Sequence, residues 1–134
     1  MQISSDLGKL VLRLTIGILM LLHGVAKISA GPATILGLIA KTGLPPALGY
    51  LVFVGEVLAP LLLIIGLWTR PAAVVVAVNM VVAVLLVHAG QLGELTRNGG
   101  WALELQGFYF FTALAVALLG AGRFSVGGGQ GKLN

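Results

Sequence analysis

Residues 10–28 read LVLRLTIGILMLLHGVAKI, and this stretch decides the fold. It has about the 20 residues that a helix needs to cross the hydrocarbon core of a bilayer. Its apolar residues surround the axis and show no alternation, so the run predicts a membrane-spanning helix. Yet Arg13 and Lys27 lie within it, and each intramembrane charge costs about 2.5–3.5 kcal/mol on insertion scales. Such a helix needs neighbours that accommodate its charges.

Three more apolar runs of similar length follow, at residues 47–68, 71–89 and 101–120. Prolines or an Asn-Gly-Gly turn precede them or stand at their first positions, where helices commonly begin. The segment 31–43 lies between the first two runs and has apolar residues at helical spacing, which is typical of a short helix at the membrane interface. The fold class predicted is all-α: a four-transmembrane-helix bundle with a short interfacial helix between helices one and two.

The composition excludes several other classes of protein. Of the 134 residues, 58% are hydrophobic and 9% are charged, whereas a soluble domain carries roughly 25% charged residues. A soluble enzyme and a disordered chain are both excluded on this ground. The absence of cysteine excludes disulfides, thiolate nucleophiles, iron–sulfur clusters and cysteine-based zinc sites. The net charge of +4 comes from scattered cations, so nucleic-acid binding has no support.

The chain is expected to form one membrane domain, residues 1–126, followed by a flexible glycine-rich tail, residues 127–134. The lysines and arginines that flank the runs favour an orientation with both termini in the cytoplasm. The inner set is Lys9, Arg70, Arg123 and Lys132, with Arg13 just within the membrane, and the outer set is Lys27, Lys41 and Arg97.

Ionisable residues inside the apolar runs are the candidates for function, because such residues usually face the bundle interior and have partners there. They are Arg13, His23, Lys27, Glu56, His88 and Glu104, with the neutral Asn79. At 100° per residue, the first helix presents a narrow stripe of charged and small residues. The stripe consists of Arg13, Gly17, Met20, Gly24 and Lys27.

The topology predicts the depth of these groups and some of their partners. Four of them, from three helices, are expected to converge on the outer half of the membrane: His23, Lys27, His88 and Glu104. Glu56 lies near mid-depth, and its expected partner is Arg13. Asn79 is nearly opposite His88 by helical angle, so it predicts a helix–helix hydrogen bond. Pro60 frees the carbonyl of Glu56 from its helical bond.

Taken in order, these motifs resemble the DoxX family of small bacterial membrane proteins over nearly the whole chain. The matching pieces are Arg13 with Gly17, His23-Gly24 with Lys27, Gly55-Glu56, Gly66-Leu67-Trp68-Thr69-Arg70, His88, Trp101-Ala102-Leu103-Glu104 and Gly120-Ala121-Gly122-Arg123. The tail departs from the family, whose members often continue with a Ser-Leu-Asp-like sequence. The resemblance implies a four-helix inner-membrane protein linked to redox chemistry. Relatives include a quinone-reducing thiosulfate oxidoreductase subunit, members that associate with a superoxide dismutase and a sulfurtransferase in oxidative-stress defence, and others linked to quinone or catechol handling.

Three functional hypotheses stay open at this point. The favoured one is a redox-associated membrane protein that binds a quinone or similar lipophilic molecule at the buried His/Glu/Arg/Lys network and acts with soluble redox or oxidative-stress enzymes. Aromatic residues 108–111 can line such a slot. The alternatives are a small proton-coupled transporter, which Glu56 and Pro60 favour, and a non-catalytic membrane anchor for soluble redox enzymes.

The sequence also leads to expectations about cofactors and partners. No catalytic residue is assigned, and whether the chain is an oxidoreductase subunit stays open. No metal site is assigned: His23 and His88 are the candidates for haem or metal ligation, and a quinone is favoured over haem. The expected partners are membrane lipid, soluble redox enzymes and a second copy of the chain.

Overall fold

The computed structural model describes residues 2–134, and within this part of the chain it is all-helical, without a strand. Met1, the first residue of the predicted membrane domain, lies outside the described residues. There are five helices: α1 Gln2–Ala30, α2 Ala33–Lys41, α3 Pro46–Ile65, α4 Thr69–Gln91 and α5 Glu104–Leu119. The predicted all-α class is confirmed.

Three of the helices, α1, α3 and α4, are long and apolar enough to cross a membrane. Their outward faces are covered with exposed apolar side chains, such as Leu22, Leu51 and Val78, which are suited to contact with lipid. The chain is therefore a membrane protein. The fourth predicted span corresponds to α5, which is apolar but has 16 residues and a length of about 24 Å.

Two of the spanning helices contain a wider, π-helical turn. In α3 this turn is Val54–Leu58, and in α4 it is Val84–His88. The turn in α3 comes just before Pro60, which has no N–H to donate to the carbonyl of Glu56. Single π-helical turns are frequent at functional sites, and this one carries the buried acid.

The core forms where α1 packs against α3 and α5, and where α4 packs against the same two helices. Its larger members include Ile16 and Met20 from α1, Leu63 from α3 and Val116 from α5. Buried alanines fill most of the remaining space, and small residues allow helices to approach closely in membranes. The helix α2 packs on the first turn of α3.

The stripe predicted on α1, apart from the partly exposed Lys27, lies on the buried face of that helix. Its buried residues are Arg13, Ile16, Gly17, Met20 and Gly24. A methyl group on Gly24 would collide with the backbone carbonyl of Glu56, and one on Gly17 would lie 2.8 Å from the Ile64 side chain. Close approach of α1 to α3 therefore requires glycine at both positions.

The glycine-rich segment after α5 returns to the turn between α3 and α4. Gly127 donates its N–H to the carbonyl of Gly66 at 2.9 Å. The side-chain oxygen of Asn134 accepts hydrogen bonds from the N–H and the hydroxyl of Thr69, at 3.2 and 3.1 Å. These contacts give the segment defined partners, and its flexibility stays a prediction.

The close approach of α1 to α3 predicts a large difference between two glycines of the same helix. Gly24→Ala should destabilise the protein by about 1–3 kcal/mol, as overpacked cores do. Gly8→Ala is the matched control, because a methyl group there meets nothing within 4 Å, and it should be neutral or stabilising by up to about 1 kcal/mol. Thermal unfolding in detergent, followed by circular dichroism, compares the two. An unchanged melting temperature for Gly24→Ala would contradict the packing.

Candidate functional site

The most deeply buried acid of the described residues is Glu56, which is 2% exposed and lies on the π-helical turn of α3. The ammonium of Lys27, from α1, donates to Oε1 of Glu56 at 2.5 Å. The side-chain amide of Asn79, from α4, donates to the same oxygen at 3.2 Å. The interhelical hydrogen bond predicted for Asn79 is thus present, and one carboxylate oxygen joins three helices.

The second carboxylate oxygen of Glu56, Oε2, is buried and has no partner among the described residues. A buried acceptor without a hydrogen bond costs free energy. This atom can therefore accept a hydrogen bond from a ligand or hold a proton while Lys27 and Asn79 stay on Oε1.

An aromatic pair links the fourth helix to α1. Tyr109, from α5, is buried at 9% exposure. The His23 ring meets the Tyr109 ring edge-on, with 5.8 Å between centroids and an interplanar angle of 85°. His23 itself is exposed on the outer surface of the helices. The Glu56 cluster, defined as Lys27, Glu56 and Asn79, thus draws on α1, α3 and α4.

An apolar groove of about 410 Å³ lies between α2, α3 and α4, and Asn79 of the cluster lines it. Valines and leucines form most of its wall, and Gly55 and Asn79 form the part next to Glu56. A methyl group on Gly55 would lie 2.6 Å from Cγ of Asn79, so glycine is needed for the amide to reach the carboxylate. The volume falls within the range of small-molecule sites, about 300–1,000 Å³.

Arg13 does not pair with Glu56, and the predicted ion pair between them is wrong. The guanidinium is buried at 1% exposure and donates to the carbonyls of Leu63 and Ile64, each at 2.7 Å, and of Phe124, at 2.6 Å. The last carbonyls of a helix have no partner within the helix. Because α3 ends at Gly66 in the left-handed conformation (φ 73°), its free carbonyls point to Arg13, and a cation is favoured at a helix C-terminus.

A second arginine has the same role for α5. Arg70, at the start of α4, donates to the carbonyls of Ala117 and Leu118 at 2.8 and 3.0 Å. The sequence placed Arg70 only among the flanking cations. Each of the two helices that end at this face of the molecule is therefore capped by an arginine from a neighbouring helix.

The other predicted residues have separate surroundings. His88 shares a 2.8 Å hydrogen bond with the side chain of Gln91 at the end of α4. Glu104, the first residue of α5, is exposed and lies next to Gly100. The expected convergence of His23, Lys27, His88 and Glu104 is thus corrected: Lys27 is in the Glu56 cluster, His23 meets Tyr109, and the other two have local surroundings. The described residues contain no group of three His, Cys, Asp or Glu side chains able to hold a metal.

Sequence reasoning missed Tyr109 and the π-helical turn. The signal for the turn was Pro60, four residues after Glu56, because a missing N–H disturbs the preceding turn. Tyr109 was considered only as one of four aromatic residues lining a slot. The roles of the predicted residues in binding or proton transfer stay predictions.

The packed apolar helices and the buried Lys–Glu–Asn cluster define a small helical membrane protein with a polar centre. Residues 8–89 match the sequence pattern of the DoxX family. The chain therefore belongs to the DoxX family.

Two curated relatives are similar to this chain. An uncharacterized protein of Haemophilus influenzae is 34% identical over 114 residues, which are 83% of this chain and 81% of the relative. A protein of Bacillus subtilis named "Putative oxidoreductase CatD" is 31% identical over 87 residues, which are 65% of this chain and 64% of the relative. No solved structure matches the chain with significance.

The capping by Arg13 predicts a strong dependence of stability on the guanidinium. Arg13→Met leaves the carbonyls of Leu63 and Ile64 without donors and should cost about 3 kcal/mol or more, since hydrogen bonds to charged groups contribute about 1.5–3 kcal/mol each. Arg13→Lys should recover only part, because an ammonium cannot match the planar fork of donors. Thermal unfolding in detergent measures both variants. The exposed Arg123→Met is the control, and an equal effect of the two methionine variants would refute the cap.

The contact between Lys27 and Glu56 predicts a strong energetic coupling. Lys27→Met leaves the buried carboxylate without its cation and should cost about 3 kcal/mol, while Lys27→Met with Glu56→Gln should recover much of the loss. A double-mutant cycle on unfolding free energies gives the coupling. The cycle on Asp6 and Lys9 is the control, because their charged atoms are 3.9 Å apart, beyond hydrogen-bond distance; it should give a smaller coupling. Equal coupling in the two cycles would contradict the buried pair.

Proposed function

We propose that the protein is a redox-associated membrane protein that binds a quinone, or a similar small lipophilic molecule, at the Glu56 cluster. The observation that carries this proposal is the buried Oε2 of Glu56, which lacks a partner among the described residues. Gly55 and Asn79, the two neighbours of Glu56, line an apolar groove. A quinone site needs an apolar slot and a few polar groups for the two ring oxygens. The groove offers the slot, and Glu56 and Asn79 offer the polar groups.

The proposal includes an arrangement in the membrane. In it, α5 is the fourth spanning helix, α2 lies at the membrane interface, and the chain forms a four-helix bundle in the bacterial inner membrane. Both termini are then cytoplasmic, on the side where Arg13 and Arg70 cap α3 and α5. Trp68 and Trp101, which are exposed near opposite ends of the bundle, are the interface residues of this arrangement.

A bound quinone would supply two-electron and proton chemistry, and the chain would supply recognition. Oε2 of Glu56 accepts a hydrogen bond, or holds a proton, from a ring hydroxyl. Lys27 keeps the carboxylate compensated through Oε1. The apolar wall of the groove excludes water. Haem ligation by His23 and His88 is less supported, since the His23 ring meets the Tyr109 ring edge-on and His88 bonds to Gln91.

Electrons would come from, or pass to, a partner protein. The name of the Bacillus subtilis relative supports an oxidoreductase role, and the resemblance to redox-linked DoxX proteins supports soluble redox or oxidative-stress enzymes as partners. A proton-coupled transporter is the second candidate. It is favoured by the combination of a buried intramembrane acid, a π-helical turn and Pro60 in one helix.

The test is the quinone content of the purified protein. We expect wild-type protein, isolated in native-lipid nanodiscs, to hold more quinone per phospholipid than the surrounding membrane, as measured by liquid chromatography and mass spectrometry. Glu56→Gln should reduce this enrichment at least tenfold, because the amide presents a donor or a weaker acceptor in place of the carboxylate. Glu104→Gln is the matched control and should retain the enrichment, since Glu104 is exposed and outside the cluster.

Two outcomes would refute the quinone proposal. One is a wild-type protein with no enrichment, and the other is equal enrichment in Glu56→Gln. A proton flux in proteoliposomes that Glu56→Gln abolishes would then favour the transporter.

A further inference from the structure

The net charge of the protein is concentrated at one end of the helices. We call it the capped end, because α3 and α5 finish there with arginines on their last carbonyls, and define it as residues 2–13, 66–70 and 120–134. Five of the eight cations and one of the four acids lie there. The rest of the chain has three cations and three acids, so the whole net charge of +4 belongs to the capped end. Its charged residues are Asp6, Lys9, Arg13, Arg70, Arg123 and Lys132.

The first turns of α1 carry this charge beyond the apolar span of α3. Gly17 faces Ile64, next to the last residue of α3, so the part of α1 before Gly17 extends past that end. Lys9 lies eight residues before Gly17, which is about 12 Å along the helix. The backbone N–H of Arg123 donates to the carboxylate of Asp6 at 3.3 Å. Lys9 and Arg123 are therefore outside the hydrocarbon, on the side where lipid headgroups lie.

The segment after α5 presents cations and apolar side chains together at the capped end. Arg123 and Lys132 are exposed, and neither pairs with an acid among residues 2–134. Val126 and Leu133 of the same segment are exposed too, as is Trp68 on the turn between α3 and α4. Tryptophan is enriched where membrane meets water. A surface that mixes cations with exposed apolar groups is suited to the boundary of a bilayer.

Backbone hydrogen bonds fix this segment against the spanning helices. Val126 donates its N–H to the carbonyl of Ile65, the last residue of α3, at 3.0 Å. The N–H of Arg70, at the start of α4, donates to the carbonyl of Leu133 at 3.1 Å. The cations of the segment are therefore held beside the membrane-facing ends of α3 and α4, where a lipid headgroup can reach them.

We propose that the capped end is a binding surface for anionic phospholipids. Arg123 and Lys132 contact the phosphates, and the exposed apolar side chains lie among the first methylenes of the lipid chains. A zwitterionic lipid has no net charge to attract, whereas each cation near an anionic bilayer surface adds to its binding. An acidic soluble protein is disfavoured as the occupant, because the cations directly adjoin the spanning helices and stand beside apolar groups. This proposal does not rest on the quinone proposal, since no residue of the Glu56 cluster takes part.

The two tryptophans of the chain allow the two ends to be compared. Trp68 reports on the capped end in a Trp101→Phe background, and Trp101 reports on the opposite end in a Trp68→Phe background. The protein is reconstituted in vesicles of equal parts phosphatidylglycerol and phosphatidylcholine, with brominated chains on one lipid or on the other. The ratio of fluorescence quenching by the two brominated lipids gives the preference for the anionic lipid at each end.

We expect a preference of at least fivefold at Trp68, the factor that one cation near an anionic surface contributes. At Trp101 the ratio should be near onefold, because the charges of that half cancel. The preference at Trp68 should fall in 0.5 M NaCl, since salt screens exposed charges. Free inorganic phosphate at 10 mM should leave it unchanged, because the phosphate bound is that of a lipid.

Paired variants test the two exposed cations. Arg123→Gln with Lys132→Gln should reduce the preference at Trp68 to below twofold and should melt as the wild type does, since both side chains are exposed. Lys41→Gln with Arg97→Gln removes the same charge from the opposite end and should keep the preference. The proposal is overturned if Trp68 shows no preference for the anionic lipid, as it would if the surface served an acidic soluble protein. It is also overturned if both ends show the same preference, or if the preference survives in Arg123→Gln with Lys132→Gln.

Discussion

The guanidinium of Arg13, bound to the last carbonyls of α3 and to the carbonyl of Phe124, is the contact on which the rest of the structure depends. In a membrane, backbone groups must find partners within the protein, because lipid offers none. A helix that ends near the bilayer therefore needs donors for its final carbonyls. Arg13 supplies them from α1, and this fixes how α1 and α3 lie along each other. Gly24 then meets the backbone of Glu56, and Lys27 reaches the carboxylate.

The two cations of α1, Arg13 and Lys27, therefore have different kinds of partner. Arg13 donates to backbone carbonyls, which carry no formal charge. Glu56, the one acid of α3, therefore pairs with Lys27. Lys27 and Asn79 both use Oε1, and the other oxygen is left facing the protein interior. Buried charge pairs of this kind add little stability compared with apolar residues, and their use is in specificity or function. The arginine caps hold the helices together, and the acid keeps one oxygen without a hydrogen-bond partner among the described residues.

Periodicity was enough to predict the buried stripe of α1, since residues at Arg13, Gly17, Met20 and Gly24 share one face of any regular helix. The partners could not be predicted in the same way, because charge matching considers side chains only. Arg13 donates instead to the backbone carbonyls of Leu63 and Ile64. A sequence does not show which backbone carbonyls lack a partner within their helix. Arg70 also binds backbone carbonyls, so the sequence alone predicts it only as a flanking cation. His88 and Glu104 were placed with the cluster from depth alone, whereas depth does not determine which face a residue occupies.

The Glu56 cluster also constrains the kind of ligand that fits it. A molecule with a hydroxyl donor can bind to Oε2 of Glu56 without disturbing the contacts of Lys27 and Asn79 on Oε1. A molecule with acceptor oxygens only would have to take a donor away from the carboxylate, which leaves a buried charge less well compensated. For the quinone that we propose, the reduced form has the donor and the oxidised form has acceptors alone. The geometry at Glu56 therefore favours the hydroquinone, and a carboxylate that binds this form is placed to take its proton when it is oxidised.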